Sequence, residues 1–99
     1  MTLRVKVSLR AALQIRKAAQ WWAENRSAAP DAVRTDIGSA LGLLAAHPGI
    51  GARYEGAKVK DIRRLLVRRI GYFLYYRVTP GTLEVLAVWH VSRRKQPSL

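Results

Sequence analysis

Between Ile62 and Val91 the chain reads IRRLLVRRIGYFLYYRVTPGTLEVLAVWHV: three apolar runs of strand length, separated by Arg69-Ile70-Gly71 and Thr79-Pro80-Gly81-Thr82. Val, Ile, Leu, Tyr, Phe and Trp dominate the runs, and these side chains suit a pleated, half-buried surface. A parallel return needs a dozen or more residues, so links this short make consecutive runs antiparallel. The segment therefore predicts a three-stranded meander. Alternation in its second run puts Tyr72, Leu74, Tyr76 and Val78 on one face and Phe73, Tyr75 and Arg77 on the other. In the third, Leu83, Val85, Ala87, Trp89 and Val91 alternate with Glu84, Leu86, Val88 and His90. Both faces are largely apolar, and monomers rarely leave such patches bare. Each face needs a cover.

The upstream chain supplies one. Leu3 to Ser8 alternates apolar with polar residues, which predicts a short strand added to an edge of the meander, with Ser8 placed to cap a helix. From Leu9 to Asn25 the period lengthens, and Ala12, Ile15, Ala19 and Trp22 mark one face of an amphipathic helix. Trp21 and Trp22 point about a hundred degrees apart, so only one of them belongs to the core. Pro30 and Asp31 suit the start of a second helix, Val33, Ile37, Leu41 and Leu44 give its apolar stripe, and Pro48-Gly49 follows its end near Ala46. Two helices on a short link form an antiparallel hairpin, whose stripes cover one sheet face. The other face is left to a partner or to the C-terminal tail. His47 to Lys60 reads as a loop that turns the chain from helix to sheet. Its Gly49-Ile50-Gly51 is no phosphate cradle because no strand precedes it, and Tyr54 and Glu55 lie within reach of the open face. Ser92 to Leu99, SRRKQPSL, is expected to be a frayed basic tail. The expectation is a single α+β domain over 1–99, ordered β-α-α-β-β-β.

Charge narrows the function. Eighteen Lys and Arg stand against six Asp and Glu, a net +12 among 99 residues. Such an excess repels itself within the folded chain and favours polyanions or an acidic protein partner. Without cysteine, and with only His47 and His90, neither a disulfide nor a metal site is expected, and no cofactor is implied. No apolar run reaches membrane-spanning length, so the expected location is the cytoplasm. The six acids form no pair suited to acid–base work. His90 is the one plausible proton-transfer group, and Ser92 beside it has no acidic orienter. The arginines are the stronger signal. Arg64 and Arg68 share strand parity, Arg93 and Arg94 follow the last run, and guanidinium clusters bind phosphate or carboxylate in bidentate fashion. Tyr72, Tyr75 and Tyr76 are interleaved with them and have the chemistry to stack on bases.

Taken in order, HPGIG at 47–51, RRLLVRRIGYFLYYRV at 63–78 and LEVLAVWHVSRR at 83–94 resemble the RelE/ParE superfamily, the toxins of bacterial type II toxin–antitoxin modules. The resemblance spans nearly the whole chain. It implies a small antitoxin partner, acidic where it covers this chain, in a hetero-oligomer of the kind associated with plasmid stabilisation. RelE-like members cut mRNA on the ribosome with basic residues of the central strands and of the C-terminus; ParE-like members bind and poison DNA gyrase. Aligned on Gly71-Tyr72, the nuclease positions fall on Arg64 and Arg93, which match, and on Leu66, Phe73 and Leu99, which depart. The expected function is therefore gyrase inhibition by a non-enzymatic toxin. The alternatives are mRNA cleavage through Arg64, His90 and Arg93, or a non-toxic member that only binds antitoxin. The residues expected to contact target or antitoxin are Arg64, Arg68, Arg69, Tyr75, Arg77, Trp89, His90, Arg93 and Arg94.

Overall fold

A computed structural model describes residues 2–99, and among them it contains two α-helices and a five-stranded mixed sheet. The strands are β1 (Arg4–Val7), β2 (Ala52–Arg53), β3 (Arg63–Val67), β4 (Tyr72–Thr79) and β5 (Thr82–His90), in the order β1-β5-β4-β3-β2. β3, β4 and β5 form the antiparallel meander read from the sequence, turning at Gly71 (φ 71°) and Gly81 (φ 73°), where a side chain would be strained. β1 adds to the outer edge of β5, and it does so parallel, Arg4 opposite Thr82 and Val7 opposite Val85. The two-residue β2 escaped sequence reading because it carries no periodic pattern of its own.

The helices are α1 (Leu9–Asn25) and α2 (Ala32–Ala46). Ser8 joins three elements. Its Oγ accepts from the Ala11 amide at 3.1 Å, capping α1, and donates to the Leu86 carbonyl at 3.2 Å, while its own amide bonds to the Val85 carbonyl. Along α1 the buried stripe is Ala11, Ile15, Ala18 and Trp22, so the deepest residue of the first turn is Ala11 and the expected Ala12 faces solvent. Helix α2 buries Val33, Ile37, Ala40 and Leu44. Against both stripes lie Val67, Leu74, Tyr76, Leu83, Val85 and Val88 of the sheet, forming the main core.

Strand parity in β5 does not run unbroken. Tyr75 pairs with Ala87 but Tyr76 pairs with Val85, so Leu86 is an extra residue, a β-bulge. The bulge reverses the facing of every later residue: Leu83 and Val85 point toward the helices, whereas Ala87 and Trp89 join the opposite face. Simple alternation had kept all four together.

That opposite face has its own small core of Ile62, Tyr75 and Ala87, flanked by Tyr54, Ala57, Phe73, Leu86, Trp89 and Leu99. Its cover is the 54–61 loop and the C-terminal tail. The tail is not frayed: a backbone oxygen of Leu99 accepts from the Lys58 amide at 2.8 Å, the Lys95 carbonyl from the Trp89 indole N–H at 2.7 Å, and Pro97 is buried. A proline donates no backbone hydrogen bond and is partly pre-ordered, which suits an irregular segment laid on an apolar surface. The HPGIG segment makes a single 3₁₀ turn over Pro48–Ile50 and brings Gly51 against the buried Tyr76 ring. Tyr76 donates its hydroxyl hydrogen to the Pro48 carbonyl at 2.7 Å and accepts from the Gly51 amide at 2.9 Å. Burial raises the pKa of this hydroxyl, with the Gly51 N–H and Arg63 partly opposing the rise.

Candidate functional site

The two faces of the sheet sort the arginines by role. Arg63 shares the helix side with Tyr76, and its guanidinium donates to the carbonyls of Gly51 (2.7 Å) and Gly49 (3.2 Å), holding the loop. Arg69 leaves the β3–β4 turn for α2, where it grips Asp36 bidentately at 2.6 and 2.8 Å. That contact holds the Asp36 carboxyl below the usual carboxylate range, the hydrogen bonds being the main cause. Arg77 pairs with Glu84 at 2.9 Å, and Lys6 approaches the same carboxylate at 4.0 Å, a ladder across β4, β5 and β1. All three arginines bond to other parts of the fold, while the side chains of Arg69 and Arg77 stay 53% and 37% exposed.

Arg64 is held differently. It sits beside Tyr75 on the tail side, its guanidinium 4.1 Å from the Phe73 ring centre and 3.1 Å from the Tyr75 hydroxyl. The Tyr75 hydroxyl in turn donates to Gln96 Oε1 at 2.8 Å, so the tail closes over this tyrosine and leaves it fully buried. No carboxylate lies within ion-pair distance of Arg64 among the described residues.

At the C-terminal end of β5 the positive charge gathers. A pocket of about 400 Å³ is lined by Arg10, Trp89, Arg93, Arg94, Lys95, Gln96 and Ser98. Arg93 lies on the Trp89 indole with its Cζ 3.8 Å from the ring centre, Arg10 approaches the ring at 6.0 Å, and Arg10 also donates to the Ser98 carbonyl at 2.5 Å. A guanidinium lying on an aromatic ring keeps its N–H donors at its rim, where anions are met. Arg68 and Arg94 are exposed.

His90 faces the other way. It pairs with Tyr72 across β4 and β5, their rings edge-to-face at 4.9 Å, on the helix side of the sheet. The Ser92 amide donates to His90 Nδ1 at 3.1 Å, and the Ser92 hydroxyl lies 2.6 Å from the same nitrogen, so the neutral ring carries its proton on Nε2. A cleft of about 320 Å³ runs past His90 between α1 and the sheet, with Lys17 and Trp21 on its helical wall and Arg93 at its rim. Burial raises the Tyr72 pKa, with Arg93 acting against the rise, so this hydroxyl remains a donor at neutral pH. The structure thus brings Arg93, Arg94 and Trp89 together, seals Tyr75 beside Arg64, and sets His90 on the face opposite Arg64. Arg10 and Gln96 were missed from sequence; Arg10 meets Ser98 across 88 residues of chain, and nothing in a frayed-tail reading foretold that contact. Among the described residues no three His, Cys, Asp or Glu side chains converge as a metal site, and no helix is long and apolar enough to cross a membrane.

Two helices on one face of a five-stranded mixed sheet form a RelE/ParE-like α+β fold. The family model for the ParE toxin of the type II toxin–antitoxin system parDE matches residues 5–95, and the chain belongs to that family. Among solved structures, a chain of the chromosomal ParDE toxin–antitoxin system from P. aeruginosa superposes with a TM-score of 0.75 at 22% identity, covering 92% of this chain and 98% of that one. A mutant of the E. coli toxin RelE in the free state superposes with a TM-score of 0.64 at 21% identity, covering 93% and 86%. No curated protein matches the sequence at a significant level.

Proposed function

We propose that this ParE-family toxin acts by binding DNA gyrase and stalling it, without cutting nucleic acid itself, and that a cognate antitoxin neutralises it. The observation that carries this reading is the separation of the candidate groups. Cleavage of RNA needs a base at the 2′-hydroxyl and a cation at the phosphate within one site. Here Arg64 packs on Phe73 at the tail face, while His90 lies on the other face beside Tyr72, so of the two arginines at matching nuclease positions only Arg93 borders the His90 cleft and the three-residue set is not assembled in one site. Arginine does not serve as a base because it stays protonated, and the Tyr75 hydroxyl beside Arg64 is buried and engaged by Gln96. What remains is a docking surface of Arg64, Arg68, Trp89, Arg93 and Arg94.

The antitoxin surface is best supported on α1, where Leu9, Leu13 and Trp21 are 78%, 47% and 46% exposed and recur, with Lys17 between them, at every fourth position. An acidic amphipathic segment lying along this ridge would bury apolar area and offset part of the +12. Its binding should weaken with salt, though less than a purely ionic contact would.

The test is a plasmid supercoiling assay with purified gyrase, ATP and this protein. Inhibited supercoiling or trapped linear DNA is the expected result. Unaffected gyrase at large excess of folded protein would sink the reading and favour the ribosomal alternative, whose own mark is cleavage of translated mRNA that disappears in His90→Ala or Arg93→Ala. Harmless overexpression without any antitoxin would instead point to a non-toxic binder.

A further inference from the structure

Arg93 borders two cavities of different chemistry. On one side is the cationic pocket of about 400 Å³, where Arg10, Arg94 and Lys95 accompany it without a carboxylate partner among the described residues. On the other is the cleft of about 320 Å³ walled by Trp21, Tyr72 and His90. The cleft combines aromatic surface with donors. Trp21 is nearly half exposed, Tyr72 keeps its hydroxyl proton, His90 presents Nε2–H, and Gln14 spends its carbonyl on the Val88 amide at 2.7 Å, which leaves its NH₂ group to donate. An acidic peptide without apolar side chains has no use for the aromatic cleft, and a bare phosphate uses only the cationic half. A ligand with a flat, acceptor-bearing ring joined to phosphate uses both.

We infer that the paired cavities bind an unpaired nucleotide, its base in the Trp21–Tyr72–His90 cleft and its phosphates against Arg93, Arg94 and Arg10. The Arg93 guanidinium is already stacked on Trp89, so it meets the phosphate pre-oriented and little side-chain freedom is lost on binding. A duplex buries its bases in the stack and satisfies only the cationic pocket; a single strand or a free nucleotide satisfies both. This binding requires no gyrase, and it stands or falls independently of the target proposed above.

The experiment is fluorescence anisotropy of labelled oligothymidylate with the full-length protein alone, against a duplex of equal length, free ATP and an oligoglutamate peptide as competitors. The single strand should bind about tenfold more tightly than the duplex, the size of one stacked base. Its log–log salt slope should be shallow, on the order of −2 to −3 for a few phosphate contacts. Trp21→Ala should remove most of that preference while leaving the slope alone. Arg94→Ala, at an exposed position, should reduce the slope by about 0.7 and weaken strand and duplex alike. Should Trp21→Ala disturb α1, Lys17→Glu at the exposed rim is the second variant and should also weaken binding. Competition by ATP at comparable affinity assigns the site to free nucleotides, and competition by the strand alone assigns it to single-stranded nucleic acid. Equal affinity for strand and duplex, equal competition by oligoglutamate, or binding indifferent to both cleft variants overturns the inference.

Discussion

On the helix side of the sheet, Leu74, Tyr76, Leu83 and Val85 lie fully buried beneath two regular helices, whereas on the tail side Tyr75 and Ile62 are buried just as completely beneath a loop and an irregular C-terminal tail. Equal burial conceals unequal construction. The helical cover is internally hydrogen-bonded and touches the sheet along whole stripes. The tail cover depends on a few separate bonds, from the Lys58 amide, the Trp89 indole and the Tyr75 hydroxyl. Stability is unevenly distributed in such a molecule, and the element with few apolar contacts opens first. The helix side therefore carries the fold, and the tail side carries the surface whose exposure is adjustable.

The sharpest way to break that contrast is to delete one core side chain. Leu74→Ala removes a fully buried side chain between the sheet and both helices, and should cost about 2–5 kcal/mol in urea unfolding. A total of about 5–15 kcal/mol is usual for a domain, so this change alone brings the protein close to unfolding. A loss under about 1 kcal/mol would mean that the helices pack less firmly than described. Removing Lys95 to Leu99 is the matching experiment on the other face. Pro97 is buried and Leu99 partly so, and their loss should cost about 2 kcal/mol. The Lys58 amide should then exchange rapidly with solvent, while the amides of β1, which reports on the helix side, keep their protection. Loss of protection in both regions together would show that the two covers are not independent.

Gly51 offers a finer probe of the helix side. Its backbone is ordinary (φ −70°), so space and not conformation demands glycine: a Cβ there would meet the Tyr76 hydroxyl and lie 2.7 Å from its Cε1. Tyr76 is clamped by its bonds to Pro48 and Gly51 and has no room to yield. Gly51→Ala should therefore destabilise by about 1–3 kcal/mol, the usual range for overpacking. Gly49→Ala, where a Cβ meets nothing, should cost far less, and equal effects would refute the steric account.

The same contrast explains what was legible in the sequence. The helices and the meander are written in periods of 3.6 and 2, and the two-faced apolar pattern of 72–91 already required a second cover. The tail's role was invisible because SRRKQPSL has no periodicity; its docking rests on backbone carbonyls, which any sequence of that length supplies, and on the single side chain of Gln96. Leu86 misled by being apolar, since an apolar bulge residue continues the pattern while breaking the register. The arginine cluster was visible as composition, but its division among Gly51, Asp36, Glu84 and Trp89 needed the register between distant strands. His90 and Arg64 looked compatible with one site for the same reason.

Acid distinguishes the two covers most gently. The helix side includes the Asp36–Arg69 pair, which ties α2 to the β3–β4 turn; the Arg10–Ser98, Tyr75–Gln96 and Trp89–Lys95 hydrogen bonds of the tail use a guanidinium, carbonyls, a hydroxyl, an amide side chain and an indole, and no Asp or Glu. Because Asp36 has a lowered pKa when folded, its contribution is complete above the unfolded value of about 3.9 and disappears as pH falls through the lower folded value. The pair is exposed at its arginine end, so the effect is small. Stability should decline slightly below about pH 4 in the parent protein, and that part of the decline should be absent in Asp36→Asn. Over the same range the Trp89 indole N–H, bonded to the Lys95 carbonyl, should hold its NMR shift, because its partner does not titrate. An indole resonance that moves together with the stability curve in the parent protein but not in Asp36→Asn would show that protonation at the turn is felt at the tail, and the two faces would then have to be treated as one coupled unit.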